Sequence, residues 1–187
     1  MANFDEFIKA HGAGDQCQTD TQEAAAAYSG KLPQVLINFW SEYGWCAYLD
    51  GLIWFTNPAD YEPVVRELFP DSAQETFVFG RTAFGDLLLW RPDGVNYLFV
   101  HYGRLMQMAD RIDLYVNVAL TDNNYLDEVI NRPYCQLARE KLGPLSRDEM
   151  YGFEPALALG GGGELDSVAK VRIYEHLSIL AQVTGWR

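Results

Sequence analysis

The sequence predicts an α+β fold, in which an antiparallel β-meander with flanking helices is followed by a smaller, mainly helical C-terminal part packed on it. Three observations predict this class. Residues 45–109 hold short β-rich runs separated by turn sequences, the residues before them carry helical spacing of apolar side chains, and from Asp110 onward most segments favour helix. The change near residue 110 predicts two domains, residues 1–110 and 111–187, which we expect to share one core.

Three helices are predicted before the meander. Asn3 and Glu6 resemble a capping box, the alanine run after Glu23 favours helix, and Gly44 is suited to end the third helix. The predicted helices cover residues 3–12, 23–28 and 32–44, and the polar residues 14–21 predict a loop.

The meander begins with a predicted hairpin. Asp50-Gly51 stands between the apolar runs 45–49 and 52–55, which is a strong signal for a tight turn between two strands. A helix follows, and Asp60 as its N-cap places Pro63 in the first turn, where N–H groups have no intrahelical partner. The remaining strands are predicted at residues 76–81, 86–91, 95–102 and 105–109, which gives a sheet of five or six strands.

The C-terminal part reads mainly as helix. Residues 113–120 fit either a strand or a helix, residues 126–142 predict a helix that ends at Gly143-Pro144, and Ser146 with Glu149 forms a second capping box. The last predicted elements are a buried strand within 153–159, a strand at 168–172 and a helix at 173–183.

The chain is strongly acidic. Its 14 basic and 26 acidic residues give a net charge of −12, and residues 1–100 hold 14 acids against 5 bases, whereas residues 101–187 hold 12 against 9. Negative charge repels phosphate groups, so we expect neither direct binding of nucleic acid nor adhesion to an anionic membrane. Basic proteins are the partners that this charge favours.

The compartment is predicted from what the sequence lacks. The N-terminus has no basic stretch followed by an apolar run, and no apolar run approaches the roughly 18 residues that a bilayer crossing needs. Cys17, Cys46 and Cys135 are odd in number, widely spaced and outside any Cys-x-x-Cys pair. That pattern favours core thiols in a reducing compartment over a disulfide framework or a zinc site. We therefore expect a soluble, cytoplasmic protein.

The residues predict no catalytic site, cofactor or metal. The four glycines at residues 160–163 (Gly160 to Gly163) match neither the dinucleotide pattern nor a Walker motif, so a structural turn is the better interpretation. His11, His101 and His176 have no metal-ligand spacing. Cys46 lies on an aromatic strand, where a cysteine is more often a small core residue than a nucleophile.

The densest feature is an aromatic segment. Residues 39–61 contain eight of the chain's 26 aromatic residues. A sheet covered by helices on both faces would bury them, which is the interpretation that we favour for most of them. The alternative leaves one or two at the surface beside acidic residues, as an anchor for a basic protein. This alternative predicts a partner-binding set of Tyr48, Asp50, Trp54, Asp60, Glu62, Glu67, Asp71 and Asp86.

Two segments resemble known bacterial domains. The first consists of Leu32-Pro33, Trp40, Gly44, Leu49-Asp50-Gly51-Leu52-Ile53-Trp54 and Asn57-Pro58-x-x-Tyr61, and it resembles the GAD-like domain. The second consists of residues 138–145 (Ala-Arg-Glu-Lys-Leu-Gly-Pro-Leu) and 151–161 (Tyr-Gly-Phe-Glu-Pro-Ala-Leu-Ala-Leu-Gly-Gly), and it resembles the short C-terminal domain commonly fused to it. Glu154 departs from the apolar or small residue expected there, and the glycine run is longer than the usual pair.

Together the segments are similar to the immunity proteins of type VI secretion DNase toxins. The resemblance implies a cytoplasmic antitoxin that binds a cognate effector, a nuclease with a basic surface, and blocks it without catalysis. One alternative is a small-molecule-binding protein or enzyme with a site between the sheet and the Gly160 to Gly163 loop, where His101 or His176 carries a proton. Another is a scaffold module tethered to other secretion components.

Overall fold

The computed structural model describes residues 3–184 and contains a seven-stranded antiparallel sheet. Its strands lie side by side in chain order: β1 (Asp15–Gln18), β2 (Trp45–Tyr48), β3 (Ile53–Phe55), β4 (Phe77–Thr82), β5 (Leu87–Arg91), β6 (Gly94–Phe99) and β7 (Arg104–Ala109). A separate antiparallel hairpin joins β8 (Glu149–Phe153) to β9 (Val168–Arg172). The predicted α+β class with an antiparallel meander is therefore confirmed.

Eight α-helices accompany the strands within the described residues. They are α1 (Asp5–His11), α2 (Gln22–Ala26), α3 (Gln34–Tyr43), α4 (Glu62–Leu68), α5 (Ile112–Asn117), α6 (Asn123–Glu128), α7 (Arg132–Leu142) and α8 (Ile173–Val183). The segment that fitted either a strand or a helix is therefore helical. Gly44 ends α3 with a φ of 81°, a conformation that glycine adopts without a steric penalty.

Both faces of the large sheet are apolar. Along β5, Leu88 packs into one core with residues of α1 and α3, whereas Leu87 and Leu89 pack into a second core with residues of α4 and α8. All three leucines are fully buried, and burying such a side chain stabilises a fold by about 2 kcal/mol. Residues of α7 and β8 belong to the first core and α8 belongs to the second. Both halves of the chain therefore contribute to both cores.

Two predicted elements, at residues 14–21 and 126–142, differ from the structure. Residues 14–21 are not only loop, because β1 lies there with all four residues exposed, so no apolar alternation marked it. The predicted helix at 126–142 is two helices. Asn131, at a φ of 64°, separates them, and Pro133 stands in the first turn of α7.

The three predicted N-terminal caps, at Asn3, Asp60 and Ser146, are not formed as expected. Asn57, not Asp60, caps the turn at Pro58–Tyr61, and α4 begins after it. No side-chain hydrogen bond caps α1. Ser146 starts no helix: its N–H donates to Glu149 Oε2 over 2.8 Å, and the chain continues into β8. The strand predicted within 153–159 lies earlier in the chain: β8 ends at Phe153, and a 3₁₀ turn occupies Leu157–Leu159.

Two arginines connect the sheet to the C-terminal half. Arg81 on β4 is fully buried, its guanidinium lies 4.4 Å from the ring centroid of Trp54, and its Nη2 donates to the carbonyl of Arg147 over 3.0 Å. Arg147 donates to the carbonyls of Gln16 on β1 and Trp45 on β2. Burial lowers the pKa of Arg81, and no described carboxylate forms an ion pair with it. An aromatic ring and backbone carbonyls thus stabilise the buried cation.

A disulfide joins the first two strands. Cys17 on β1 is bonded to Cys46 on β2, so the expectation of three core thiols is wrong, and Cys135 is the buried free thiol. The two cysteines are 29 residues apart in the sequence and become neighbours only when β1 pairs with β2. Spacing in the sequence therefore could not reveal the pair.

Replacing Cys17 with serine should destabilise the oxidised protein. The bridge closes a loop of about 30 residues, and loss of such a constraint on the unfolded chain costs about 3 kcal/mol. Urea unfolding without reductant should show this loss. Under strong reductant the Cys17→Ser variant and the wild type should have the same midpoint. Three reactive thiols in the denatured, oxidised wild type, instead of one, would contradict the assignment.

Candidate interaction surface

The aromatic segment lies inside the fold. Seven of the eight aromatic residues between positions 39 and 61 are buried, and Tyr43 is half-buried. Tyr48 and Trp54, predicted as surface anchors, are only 2% and 1% exposed, so the prediction is wrong for both. Tyr48 packs against Phe7 and Phe55. The physical reason is that β2 and β3 are interior strands of a sheet that is covered on both faces.

Asp86 also lies away from the open surface. Its carboxylate accepts hydrogen bonds from the Tyr97 hydroxyl and the Val100 N–H, each over 2.9 Å. Burial raises the pKa of Asp86 to about 7, and the two hydrogen bonds offset only part of this effect. Asp86 lines a cavity and not the outer surface, and its part in partner binding stays a prediction.

The other five predicted acids are exposed and lie in two places. Asp50 is in the turn between β2 and β3 and faces α7, because Arg139 Nη2 lies 3.4 Å from its Oδ1. The other four lie before, on and after α4, which packs against α8, and they are Asp60, Glu62, Glu67 and Asp71. The structure therefore does not gather the predicted set into one patch.

The four acids around α4 differ in their partners. Glu62 forms an ion pair with Arg66, with 2.8 Å between Oε1 and Nη2. Glu67 accepts from the Ser178 hydroxyl over 2.7 Å and so helps to hold α4 against α8. Asp60 and Asp71 form no side-chain hydrogen bond or ion pair within residues 3–184. Asp71 is the more open of the two, because partial burial raises the pKa of Asp60 and nearby Arg147 offsets only part of that rise.

A groove of about 830 Å³ runs between the β2–β3 turn and α7. Four of its charged groups form two ion pairs, Asp50 with Arg139 and Asp127 with Arg132, the latter with 2.6 Å between Oδ1 and Nε. Glu140 also lines the groove and forms no ion pair within the described residues. The residues that line it are Leu49, Asp50, Leu52, Asp127, Arg132, Pro133, Cys135, Gln136, Arg139 and Glu140. Apart from Asp50, sequence reasoning missed its charged residues, because the groove forms only when the two halves pack together.

The turn at the edge of the groove has an unusual backbone. Leu49 and Asp50 have φ values of 53° and 58°, and Gly51 follows at 88°. A bulky residue such as leucine rarely adopts a positive φ, and such positions are frequent at binding sites. Arg139 holds the turn, because its Nη1 donates to the Asp50 carbonyl over 3.0 Å. Helix α7 therefore fixes the conformation of a loop in the other half of the chain.

The cysteine of the groove is unreactive. Burial raises the pKa of the Cys135 thiol to about 12, which leaves it protonated and unreactive at neutral pH. Within residues 3–184, no group of three or more metal-ligating side chains is present. A binding protein could replace one member of each ion pair on this concave surface with a charged side chain of its own.

The histidines and the glycine loop do not assemble into the alternative site. The ring centroids of His101 and His176 lie 6.3 Å apart, and burial lowers the pKa of both, to about 4 for His101. The glycines belong to a turn in which Tyr134 donates to the carbonyl of Gly163 over 2.7 Å. The cavity beside His101 is lined by other residues.

Two family models match the chain in succession. The model of the GAD-like domain matches residues 2–101, which is more than half of the chain. The model described as T6SS immunity protein Tdi1, C-terminal, matches residues 109–184. The two resemblances that the sequence motifs indicated are thus confirmed.

The fold is shared with solved structures, one of which is similar to most of this chain. It is described as the crystal structure of Atu4351 from Agrobacterium tumefaciens, with a TM-score of 0.81 and 20% sequence identity. The similarity covers 96% of this chain and 88% of that one, and at this identity it supports the fold alone. Among curated proteins, no sequence matches the chain.

Asp86→Asn should flatten the pH dependence of stability between pH 5 and pH 8. A folded pKa of about 7 lies above the unfolded value of 3.8, so protonation favours the folded state at low pH, and this contribution disappears as the pH rises through 7. The nearby Tyr97, Tyr115 and Tyr125 have raised pKa values and stay neutral over this range. Between pH 5 and pH 8 the free energy of unfolding, measured by heat or urea, should fall by on the order of 2 kcal/mol more for the wild type than for the variant. If the free energies of unfolding of wild type and variant changed equally with pH, the raised pKa of Asp86 would be contradicted.

Proposed function

The chain belongs to the GAD-like domain family, and on that premise we propose that it is an immunity protein that binds and neutralises a cognate type VI secretion effector. The observation that carries this proposal is the match of residues 109–184 to the C-terminal domain of a type VI secretion immunity protein. Neutralisation requires binding and no catalysis, which agrees with a groove that holds paired charges and an unreactive thiol.

We further propose that the effector is a DNase with a basic surface. A nuclease that binds DNA presents positive charge to the phosphates, and a chain with a net charge of −12 is attracted to the same surface. Occupation of the DNA-binding cleft would exclude the substrate. The same charge keeps the immunity protein itself off nucleic acid.

The proposed contact surface has two parts. One is the groove beside α7, where Asp50 and Glu140 present carboxylates at a concave surface. The other is the exposed pair Asp60 and Asp71 at the two ends of the α4 segment. A partner's basic side chains would pair with these carboxylates and speed the encounter.

The proposed place of action is the cytoplasm, because that is where a DNase effector meets its substrate. Within the described residues, no helix has the length and apolar character needed to cross a bilayer.

Binding of a small molecule is the second candidate function. One observation favours it, namely a cavity of about 240 Å³ between the sheet and the C-terminal half, with His101 in its wall. Its position corresponds to the alternative site of the sequence analysis, without the glycine loop. A low pKa keeps His101 neutral, so a proton-carrying role at neutral pH is disfavoured.

Co-purification with the product of the neighbouring gene tests the main proposal. The expected result is a stable complex, together with a nuclease activity that appears when the effector is alone and disappears when this chain is added in equal amount. A neighbouring gene product that neither binds nor cleaves DNA would contradict it.

Charge reversal at Asp60 and Asp71 should slow association with the effector. The double variant Asp60→Lys, Asp71→Lys removes unpaired carboxylates from the surface, so the association rate should fall by roughly tenfold at low salt, and less at high salt. Stopped-flow or surface-plasmon-resonance kinetics measure the association rate and its dependence on salt concentration. Glu23→Lys, at an exposed acid on α2, is the control for each single reversal, Asp60→Lys and Asp71→Lys, because it changes the net charge by the same amount. Equal rates and equal salt dependence in all variants would rule out this part of the surface.

Asp50→Asn should weaken effector binding without unfolding the protein. Asparagine tolerates a positive φ as aspartate does, and the exposed pair with Arg139 contributes little to stability, so the free energy of unfolding should change by less than about 0.5 kcal/mol. Titration calorimetry should show weaker binding if the groove is part of the interface. Unchanged affinity would remove the groove from the proposed surface.

A further inference from the structure

A small cavity opens where the sheet meets the C-terminal half. It has a volume of about 240 Å³ and lies between the β4–β5 turn, the residues after β6, the link from α6 to α7, and the end of β8. Some of its wall is exposed, including Tyr102, Glu128 and Asn131. The cavity is therefore accessible from outside and has the scale of a single side chain.

Aromatic rings dominate the walls. Phe84, Tyr134 and Phe153 are nearly parallel, with interplanar angles of 17° to 24° and centroids 5.4 to 6.4 Å apart. Phe99 and Tyr102 add two more rings. The π-faces of aromatic side chains attract cations that approach within about 6 Å, and desolvation strengthens this attraction.

The charged groups of the cavity are all acidic. Asp86 and Glu128 line it, no lysine or arginine does, and neither acid forms an ion pair within the described residues. His101 contributes no positive charge at neutral pH, because burial lowers its pKa to about 4. The two hydrogen bonds that Asp86 accepts are both from neutral donors, the hydroxyl of Tyr97 and the N–H of Val100.

Aromatic rings together with two acids favour a cationic group as the occupant of the cavity. Burial raises the pKa of Asp86 to about 7, so without a counter-charge its carboxyl is only partly ionised at neutral pH, and a bound cation would favour the ionised form. An apolar group would give the ionised carboxylate no counter-charge, and an anion would meet two acids. A metal ion would need more ligands than the cavity offers, since the described residues hold no cluster of three ligating side chains. An ammonium or guanidinium group on an alkyl stem satisfies both the rings and the carboxylates.

We propose that this cavity receives a lysine or arginine side chain of the effector, held between the aromatic rings and the carboxylates of Asp86 and Glu128. The inference rests on the proposed function, because it assigns the occupant to a basic partner. A cation buried in such a cavity adds a third contact to the proposed surface and slows dissociation, while exposed charges mainly steer the encounter.

Binding to the cognate effector, measured by titration calorimetry on the full chain, tests the proposal. At pH 8, above the pKa of Asp86, Asp86→Asn and Glu128→Gln each remove a charge and keep side-chain shape, and each should weaken binding by roughly tenfold. Tyr134→Leu should weaken it more than Tyr134→Phe, since only phenylalanine keeps the ring. Glu23→Gln, an exposed acid on α2 away from the cavity, is the control for loss of one charge and should bind as the wild type does. Circular dichroism of each variant verifies folding.

The outcomes separate this inference from the proposed function. If the wild type binds the effector and the cavity variants bind it equally well, the inference is wrong and the proposed function stands. If the wild type does not bind, the proposed function fails, and a direct titration decides whether the cavity takes a cation. Propylguanidinium should then shift the ring signals of Phe84, Tyr134 and Phe153 in NMR spectra, and neutral propylurea should not. No shift with propylguanidinium, or equal shifts with both compounds, would overturn the cation site.

Discussion

The fold depends on a sheet that is apolar on both faces. Leu88 on one side of β5 and Leu87 with Leu89 on the other are all fully buried, so each face needs its own cover. The helices α1 and α3 cover one face, whereas α4 covers the other only together with α8. The meander and the C-terminal half are therefore parts of one folding unit, even though two family models divide the chain between them. Arg81 and Arg147 strengthen this union, because their guanidinium groups bond backbone carbonyls on both sides of the junction.

Both candidate sites arise from this junction. The groove has the β2–β3 turn on one side and α7 on the other, and the aromatic cavity lies between the end of the sheet and the link from α6 to α7. Arg139 on α7 holds the left-handed conformation of Asp50, so the packing of one half fixes the β2–β3 turn of the other. Neither site would exist in a separated N-terminal half. The pairing of a GAD-like part with an immunity-protein part thus has a physical consequence, since it creates concave surfaces that neither part forms alone.

Sequence reasoning reached the fold class, the meander and the last helix, because each has a local periodicity or a turn signal. It missed β1, whose polar residues carry no alternation, and the Cys17–Cys46 bond, which depends on strand pairing across 29 residues. That bond also removes the argument for the cytoplasm that rested on free thiols. For the candidate site, composition identified the acids but not their environments. Asp86 and Asp71 look alike in the sequence, yet one is enclosed by hydrogen-bond donors and the other is exposed, because burial is decided by long-range packing.

The distribution of charge over the fold supports a basic partner more strongly than the net charge does. Many basic side chains already have partners within the fold. Arg81 and Arg147 donate hydrogen bonds to backbone carbonyls, and Arg132 and Arg139 form ion pairs beside the groove. Eight ion pairs occupy only eight of the 26 acids, so most carboxylates keep no basic partner within the described residues. A partner approaching this surface meets exposed acids and few uncommitted cations. Such a surface resembles DNA in charge and would repel DNA itself, and both properties would serve the proposed inhibitor of a DNA-binding enzyme.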